Sequence, residues 1–327
     1  MNLNGATPES ILHASPTNEK SASRFRATLP AQRHLLPPMT VPTSPRARVA
    51  LALFSLYVIW GSTFLAIRYA LGSFPPLLLA GGRFLLAGGL FYVILRARGA
   101  PRPTLREWRG ALIVGTLLCC ANGCVVLAEQ WVSSGIAAVA LASVPLWAAL
   151  FAGLWGRWPS RLEWVGLGIG LLGVALLQSG GALRASPLGA VLLTASTVSW
   201  ALGSMWSRKL TLPKGLMASA AEMLCGGAVL MTLSVLHGEH FAAVPTAPAM
   251  AAFLYLVTFG SIVGYTAYAY LLTNVRPALA TSYAYVNPVV AVGLGAGFLH
   301  EAVAPNAVGA LALILGGVAL VMFQRTA

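Results

Sequence analysis

From Arg46 to its carboxyl end the chain is a succession of long apolar runs separated by short polar breaks, and this pattern leaves the fold little freedom. About 20 apolar residues in a helix cross the hydrocarbon layer of a bilayer. Every backbone amide must be satisfied internally there, which only helices and closed barrels achieve. Runs of that length fall near 49–70, 76–95, 108–128, 134–155, 162–180, 187–207, 215–236, 249–272, 278–299 and 305–324. The breaks carry Pro75-Pro76, Pro101, Pro103, Gly180-Gly181, Pro213, Pro245, Pro248 and Pro305. The pattern predicts an all-α integral membrane protein with ten transmembrane helices. Composition agrees: 9% of residues are charged, where a soluble domain carries about a quarter. Residues 1–45 are rich in Pro, Ser, Thr, Asn and Gln and read as a disordered cytoplasmic tail. Met39 offers a later start just ahead of the first span.

The charges fix an orientation. Of 21 Lys and Arg, 18 fall on the side of the amino terminus when sides alternate from span to span. They are the six ahead of the first span (Lys20, Arg24, Arg26, Arg33, Arg46 and Arg48) with Arg96, Arg98, Arg102, Arg106, Arg109, Arg157, Arg161, Arg208, Lys209, Lys214, Arg276 and Arg325. Arg184 alone lies on the other side, and Arg68 and Arg83 fall inside spans. Cytoplasmic loops collect the positive charge, which predicts a multi-pass protein of the cytoplasmic (inner) membrane with both termini inside. The net charge of +13 is therefore a topology signal, not a nucleic-acid footprint. All eight acids are Glu, so chemistry that needs Asp, such as an aspartyl-phosphate cycle, is excluded.

The chain also repeats itself. Trp60 and Arg68 recur 140 residues on as Trp200 and Arg208, with Gly61-Ser62 echoed by Gly203-Ser204. Ala87-Gly88 recurs 139 residues on as Gly226-Gly227, where Arg83 aligns with Glu222. Pro145 recurs 143 residues on as Pro288, and Gly166 and Gly173 as Gly309 and Gly316. A duplicated unit of five spans must be inverted in the membrane, so 46–180 and 181–327 read as two inverted five-helix repeats. Such repeats place a transport site near the midplane between them.

The segments Ile59-Trp-Gly-Ser-Thr-Phe64, Arg83-Phe84, Ser134-Gly-Ile-Ala-Ala138, Arg161-Leu-Glu-Trp-Val-Gly166, Ser199-Trp-Ala-Leu-Gly-Ser204 and Pro277-Ala-Leu-Ala-Thr-Ser-Tyr-Ala-Tyr-Val-Asn-Pro288 carry a family resemblance. The chain resembles ten-helix permeases of the drug/metabolite transporter superfamily with two EamA-type repeats, from about residue 50 to 323. The resemblance implies a cytoplasmic-membrane permease moving small metabolites, often outward. A Gly-Glu pair after the fourth span of each repeat is frequent in that family. Glu301 fits it in the second half, whereas Arg157 replaces it in the first.

Ionisable groups inside spans are costly and therefore mark function by default. Glu222 reads as a proton-coupling carboxyl or, alternatively, as a structural ion-paired or protonated group. Arg83, at the matching place in the other half, would pair with it in one access state and part from it in another, or bind a substrate carboxylate through its fork of donors. Trp60, Trp200, Tyr265, Tyr268, Tyr283, Tyr285 and Asn287 put polar tips on apolar bodies within spans, and Asn122 adds an amide in the third. Pro145 and Pro288 break the fourth and ninth spans at matching places, freeing carbonyls near Leu141 and Ala284, with Ser143 close by. Glu129 and Gln130 read as interfacial, Arg68 as snorkelling to the surface, and His300 with Glu301 as lying at an outer mouth.

Other apparent motifs carry no chemistry. Gly168-Ile-Gly-Leu-Leu-Gly173 spells a dinucleotide fingerprint inside an apolar span with no preceding strand, so it predicts close helix packing, as does Gly293 to Gly297. Cys119, Cys120 and Cys124 lack metal spacing, and the four cysteines form no disulfide framework. The loop His237-Gly-Glu-His240 offers at most weak metal binding. No cofactor is implied. A secondary transporter is expected, exporting small amphipathic metabolites or drugs across the bilayer by alternating access, with proton coupling and a homodimer left open. An uptake or exchange permease is the alternative, and a lipid-modifying membrane enzyme a more distant one, because no paired acids or metal cluster face one site.

Overall fold

The computed structural model describes residues 44–132, 134–156, 158–178, 187–299 and 307–323, and their regular structure is entirely helical. Gly180-Gly181, Arg157, Arg184, His300, Glu301, Pro305, Arg325 and nearly all of the expected tail lie outside the described residues. The helices are α1 (Pro45–Leu71), α2 (Pro76–Ala97), α3 (Leu105–Ala128), α4 (Ser134–Leu141), α5 (Val144–Leu154), α6 (Arg161–Gln178), α7 (Pro187–Trp206) and α8 (Leu216–Leu236). They continue with α9 (Ala247–Tyr255), a π-helical turn at Leu256–Val263, α10 (Gly264–Asn274), α11 (Pro277–Ala280), α12 (Tyr283–Leu299) and α13 (Ala307–Phe323). Among the described residues, six segments are long and apolar enough to cross a membrane: α1, α2, α3, α7, α8 and the continuous stretch from α9 through α10.

Local chemistry explains where these helices begin. The Ser44 side chain accepts from Ala47 N at 3.1 Å, with Pro45 in the first turn of α1. Thr104 and Glu107 form a reciprocal capping box on α3, and Ser160 and Glu163 exchange the same bonds at the start of α6. The start of α2 is capped from a distance. Glu239, in the loop after α8, accepts from Leu77 N at 3.1 Å and Leu78 N at 2.7 Å, and also from Ser234 Oγ at 2.8 Å. The loop first read as a weak metal site thus uses its carboxylate to cap a helix. Glu239→Gln is expected to lower stability by about 1 kcal/mol, since a charge-assisted cap becomes a neutral one; thermal unfolding in detergent measures it.

Long apolar side chains such as Phe54, Val93, Leu172 and Val191 point outward, each more than 60% exposed, as a surface facing acyl chains requires. Inside, small residues let backbones approach. A Cβ on Gly88 would lie 2.7 Å from Leu224 N, and one on Gly227 2.7 Å from Leu85 N, so α2 and α8 touch backbone to backbone. Gly173 and Gly317 do the same for α6 and α13, and Gly170 lies against the Tyr285 ring, which bears out the packing reading for Gly170 and Gly173, whereas Gly168 has no described atom within 4 Å of an added Cβ. Gly293 and Gly297 differ: no described atom lies within 4 Å of a Cβ placed on either. Elsewhere α3 packs on both α7 and α8, α1 on α12 and on the α9–α10 stretch, and α7 on α4 and α5.

The two proline expectations part company. The fourth apolar run is interrupted at Ala142-Ser143, between α4 and α5, with Pro145 in the first turn of α5. In the ninth run the interruption falls earlier, at Thr281-Ser282 between α11 and α12, and Pro288 sits inside α12. The reason is local bonding. Thr281 Oγ1 donates to Pro277 O at 2.9 Å and Ser282 Oγ to Leu279 O at 2.8 Å, and these hydroxyl bonds compete with the helical ladder.

Candidate functional site

The two halves of the chain close around one small cavity. Its walls are Trp60, Thr63, Phe64 and Ile67 of α1, Arg83 of α2, Asn122 and Val125 of α3, Leu141 and Val144 at the α4–α5 break, Ser196 and Trp200 of α7, Gly260 of the π-helical turn, and Tyr283 and Asn287 of α12. Its volume is about 50 Å³, room for a few water molecules, so a metabolite enters only after the walls move apart.

Five aromatic rings build one end. The Trp60 ring lies 5.3 Å from Trp200, 6.0 Å from Tyr265, 5.3 Å from Tyr268 and 4.7 Å from Tyr283, most at steep angles. Trp60 Nε1 donates to Gly260 O at 3.0 Å. Trp200 Nε1 donates to Tyr268 Oη at 3.2 Å, and Tyr268 shares a 2.6 Å bond with Ser204 Oγ. Trp200 lines the cavity while Ser204, one turn on, does not, so these bonded rings form a floor toward the carboxyl-terminal end of α7.

The polar wall is different in kind. Arg83 is 3% exposed. Its Nη2 donates to Asn122 Oδ1 at 2.5 Å, its guanidinium lies 4.4 Å from the Phe84 ring centre, and its Nε is buried without a hydrogen-bond partner. Asn287 also lines the cavity, and among the described residues its buried Oδ1 too is without one. Buried polar atoms are nearly always paired. The unmatched donor and the unmatched acceptor belong to two residues that line one cavity, and once the walls part and expose them they are complementary to a ligand that accepts at one end and donates at the other.

Six of the residues singled out in the sequence line this cavity: Trp60, Arg83, Asn122, Trp200, Tyr283 and Asn287. Tyr265 and Tyr268 support it from behind. Tyr285 faces away, donating to Leu167 O at 3.2 Å against α6. Ser143 bonds its own helix, to Ala140 O at 2.8 Å, and Pro145 and Pro288 set backbone rather than lining. Glu222 is buried and does not line the cavity, its backbone lies against Gly115 of α3, and among the described residues no ion pair joins it to Arg83. Thr63, Phe64, Ile67, Val125 and Ser196 had escaped notice. Their signal was helical spacing from Trp60, Asn122 and Trp200, which puts them on the same faces.

Two further readings are corrected. Glu129 is not interfacial: it is 0% exposed, and among the described residues neither carboxylate oxygen has a hydrogen-bond partner. Arg68 does more than snorkel, because its Nη1 donates to Glu129 O at 2.6 Å and so caps the end of α3.

Long apolar helices around a central cavity with one cationic and one aromatic wall define a membrane transporter. The chain belongs to the EamA-like transporter family, whose model matches residues 47–179 and again 187–323. It is 50% identical over 276 residues to the "Uncharacterized inner membrane transporter YedA" of Escherichia coli (strain K12), covering 84% of this chain and 90% of that protein. It is 28% identical to the "Uncharacterized transporter YvbV" of Bacillus subtilis (strain 168), over 85% of this chain and 92% of the relative. A "Probable terminal-alkyne amino-acid exporter" of Streptantibioticus cattleyicolor is also 28% identical, over 83% and 92%. A solved crystal structure aligns with a TM-score of 0.69 at 23% identity, covering 84% of this chain and 96% of the other, and shares the fold.

Proposed function

We propose that this chain is a secondary transporter that exports small amphipathic solutes bearing a carboxylate and an N–H donor, by alternating access of two inverted five-helix repeats, 46–180 and 181–327. The observation that carries this is the pair of unmatched buried atoms, Arg83 Nε and Asn287 Oδ1, on a cavity with an aromatic floor. A carboxylate suits the guanidinium fork, an amine suits the amide oxygen, and an apolar body packs on Trp60, Trp200 and Tyr283. The printed name of the amino-acid exporter agrees with this chemistry.

Several features support ten crossings and inverted halves. The packing pairs exchange when the halves exchange: α2 with α8, α6 with α13, and α3 on α7 matched by α1 on the α9–α10 stretch. The family model matches the chain twice in tandem. Arg68 Nη1 donates to Glu129 O at the end of α3, and Arg208 Nη2 to Val275 O at 2.7 Å at the end of α10. Corresponding arginines thus cap corresponding helices. The bias of Lys and Arg supports cytoplasmic termini and the inner membrane.

The test is flux of a panel of labelled amino acids and other small carboxylates from proteoliposomes, with Arg83→Gln beside the wild type. Flux of at least one solute that falls about tenfold in the variant supports the reading, because a charge-assisted bond to substrate is lost. No flux from the wild type, or equal flux from both proteins, overturns it.

A further inference from the structure

Glu129 sits where no structural role uses its carboxylate. It follows directly on the last turn of α3, and Asn122, Val125 and Glu129 stand at i, i+3 and i+7, on one face of that helix line. The first two line the cavity, so Glu129 lies beyond them toward the face at which α1 and α3 end. Its chain neighbours Ala128 and Val132 belong to a buried apolar cluster with Phe64, Val125, Ala137, Ala138 and Leu193. The charges that act on it are Arg68, at the end of α1, and Arg83, in α2. The helices α4 and α7 contain no ionisable side chain, and the backbone of Glu222 in α8 lies against Gly115, about four turns back along α3.

Both arginines are already committed elsewhere. Arg68 donates to the backbone oxygen of Glu129, and Arg83 to Asn122. The structure therefore holds a sealed carboxyl with no bond, within the field of the same guanidinium that faces the cavity. An ionised carboxylate left so is strongly unfavourable. A proton taken from water at the outer end of α3, onto Oε1 or Oε2, removes that charge and leaves Arg83 with no competing anion. Loss of the proton restores a carboxylate that draws Arg83 and Arg68 to itself.

We propose that Glu129 is the proton-binding site of the transport cycle, and that its proton decides whether the Arg83 wall accepts an anion. This rests on the reading of Arg83 as the substrate's anion site, and it moves the coupling role from Glu222 to Glu129.

Two measurements on the purified protein in detergent test it. The first is infrared spectroscopy of the carbonyl stretch of a protonated carboxyl across a pH titration. A titrating band present in the wild type and in Glu222→Gln, and lost in Glu129→Gln, is expected. A band unchanged in Glu129→Gln overturns the proposal without reference to any ligand. The second follows Trp fluorescence while benzoate, the probe, is added between pH 6 and pH 9. Wild-type affinity for benzoate is expected to tighten about tenfold as pH falls, because protonation removes a like charge beside the anion's site. Glu129→Gln should bind at the tight limit at every pH. A Glu129→Gln profile that still follows the wild type overturns the proposal. If benzoate binds no form while the infrared band is lost in Glu129→Gln, the anion reading of Arg83 fails and the proton site stands.

Discussion

A single methyl group at Gly227 is expected to lower the stability of this transporter by about 2–3 kcal/mol, and a leucine there to abolish recovery of folded protein. The position has no room to give. A Cβ would stand 2.7 Å from Leu85 N and 3.0 Å from Phe84 Cβ, and the first is backbone of the facing helix rather than a movable side-chain end. Relief therefore requires α8 to withdraw from α2 along its length. Apolar burial does not drive helices together within lipid, so close van der Waals contact carries this interface. Withdrawal forfeits the contact at Gly88 as well, where the backbone of Leu224 and Ala220 lies at 2.7–3.0 Å. Thermal unfolding in detergent of Gly227→Ala, with Gly168→Ala as the control, measures the effect. Gly168 has no described atom within 4 Å of an added Cβ, so its variant should unfold like the wild type. Equal shifts in the two variants would show that the loss is intrinsic to glycine replacement and not to this contact.

The second large effect is expected at Trp60. Replacement by Ala should cost about 3–5 kcal/mol and should also let solute leak through the floor of the cavity. One ring there touches four others and is 8% exposed, so its removal leaves a void continuous with the cavity. Trp60→Phe separates packing from polarity. It keeps a ring in place but removes the donor to Gly260 O, whose carbonyl belongs to the π-helical turn. That widened turn leaves backbone groups in need of outside partners, and an unmatched carbonyl costs about 1–3 kcal/mol. A Phe variant with wild-type stability would mean that Gly260 O finds another donor. An Ala variant that stays tight to solute would place the floor elsewhere.

Much of the architecture was legible because its physics is local. The apolar runs had to be helices, and caps such as Thr104 with Glu107 sit where the sequence puts them. Six of the candidate residues line one cavity, because polar tips on apolar helices are placed there for a reason. Glu129 was misread because hydropathy sees only that an acid follows an apolar run. Whether the end of α3 is wet or roofed by α1, α4 and α7 depends on residues distant in sequence. The same limit hid the ring floor, since Trp60, Trp200, Tyr268 and Tyr283 come from four separate helices. It also hid the capping of α2 by Glu239, which is more than 160 residues away in the chain.

The sequence by itself determined that this chain is helical and made for a membrane, since hydrogen bonding in hydrocarbon admits little else, and where helices such as α1, α3 and α6 start, since their caps are formed by near neighbours. Tertiary structure alone decided which charges are buried. Arg83, Glu129 and Glu222 are all buried, and among the described residues Arg83 keeps one donor unmatched and Glu129 both carboxylate oxygens, because burial of a side chain is a property of the helices that pack around it and not of the helix that carries it.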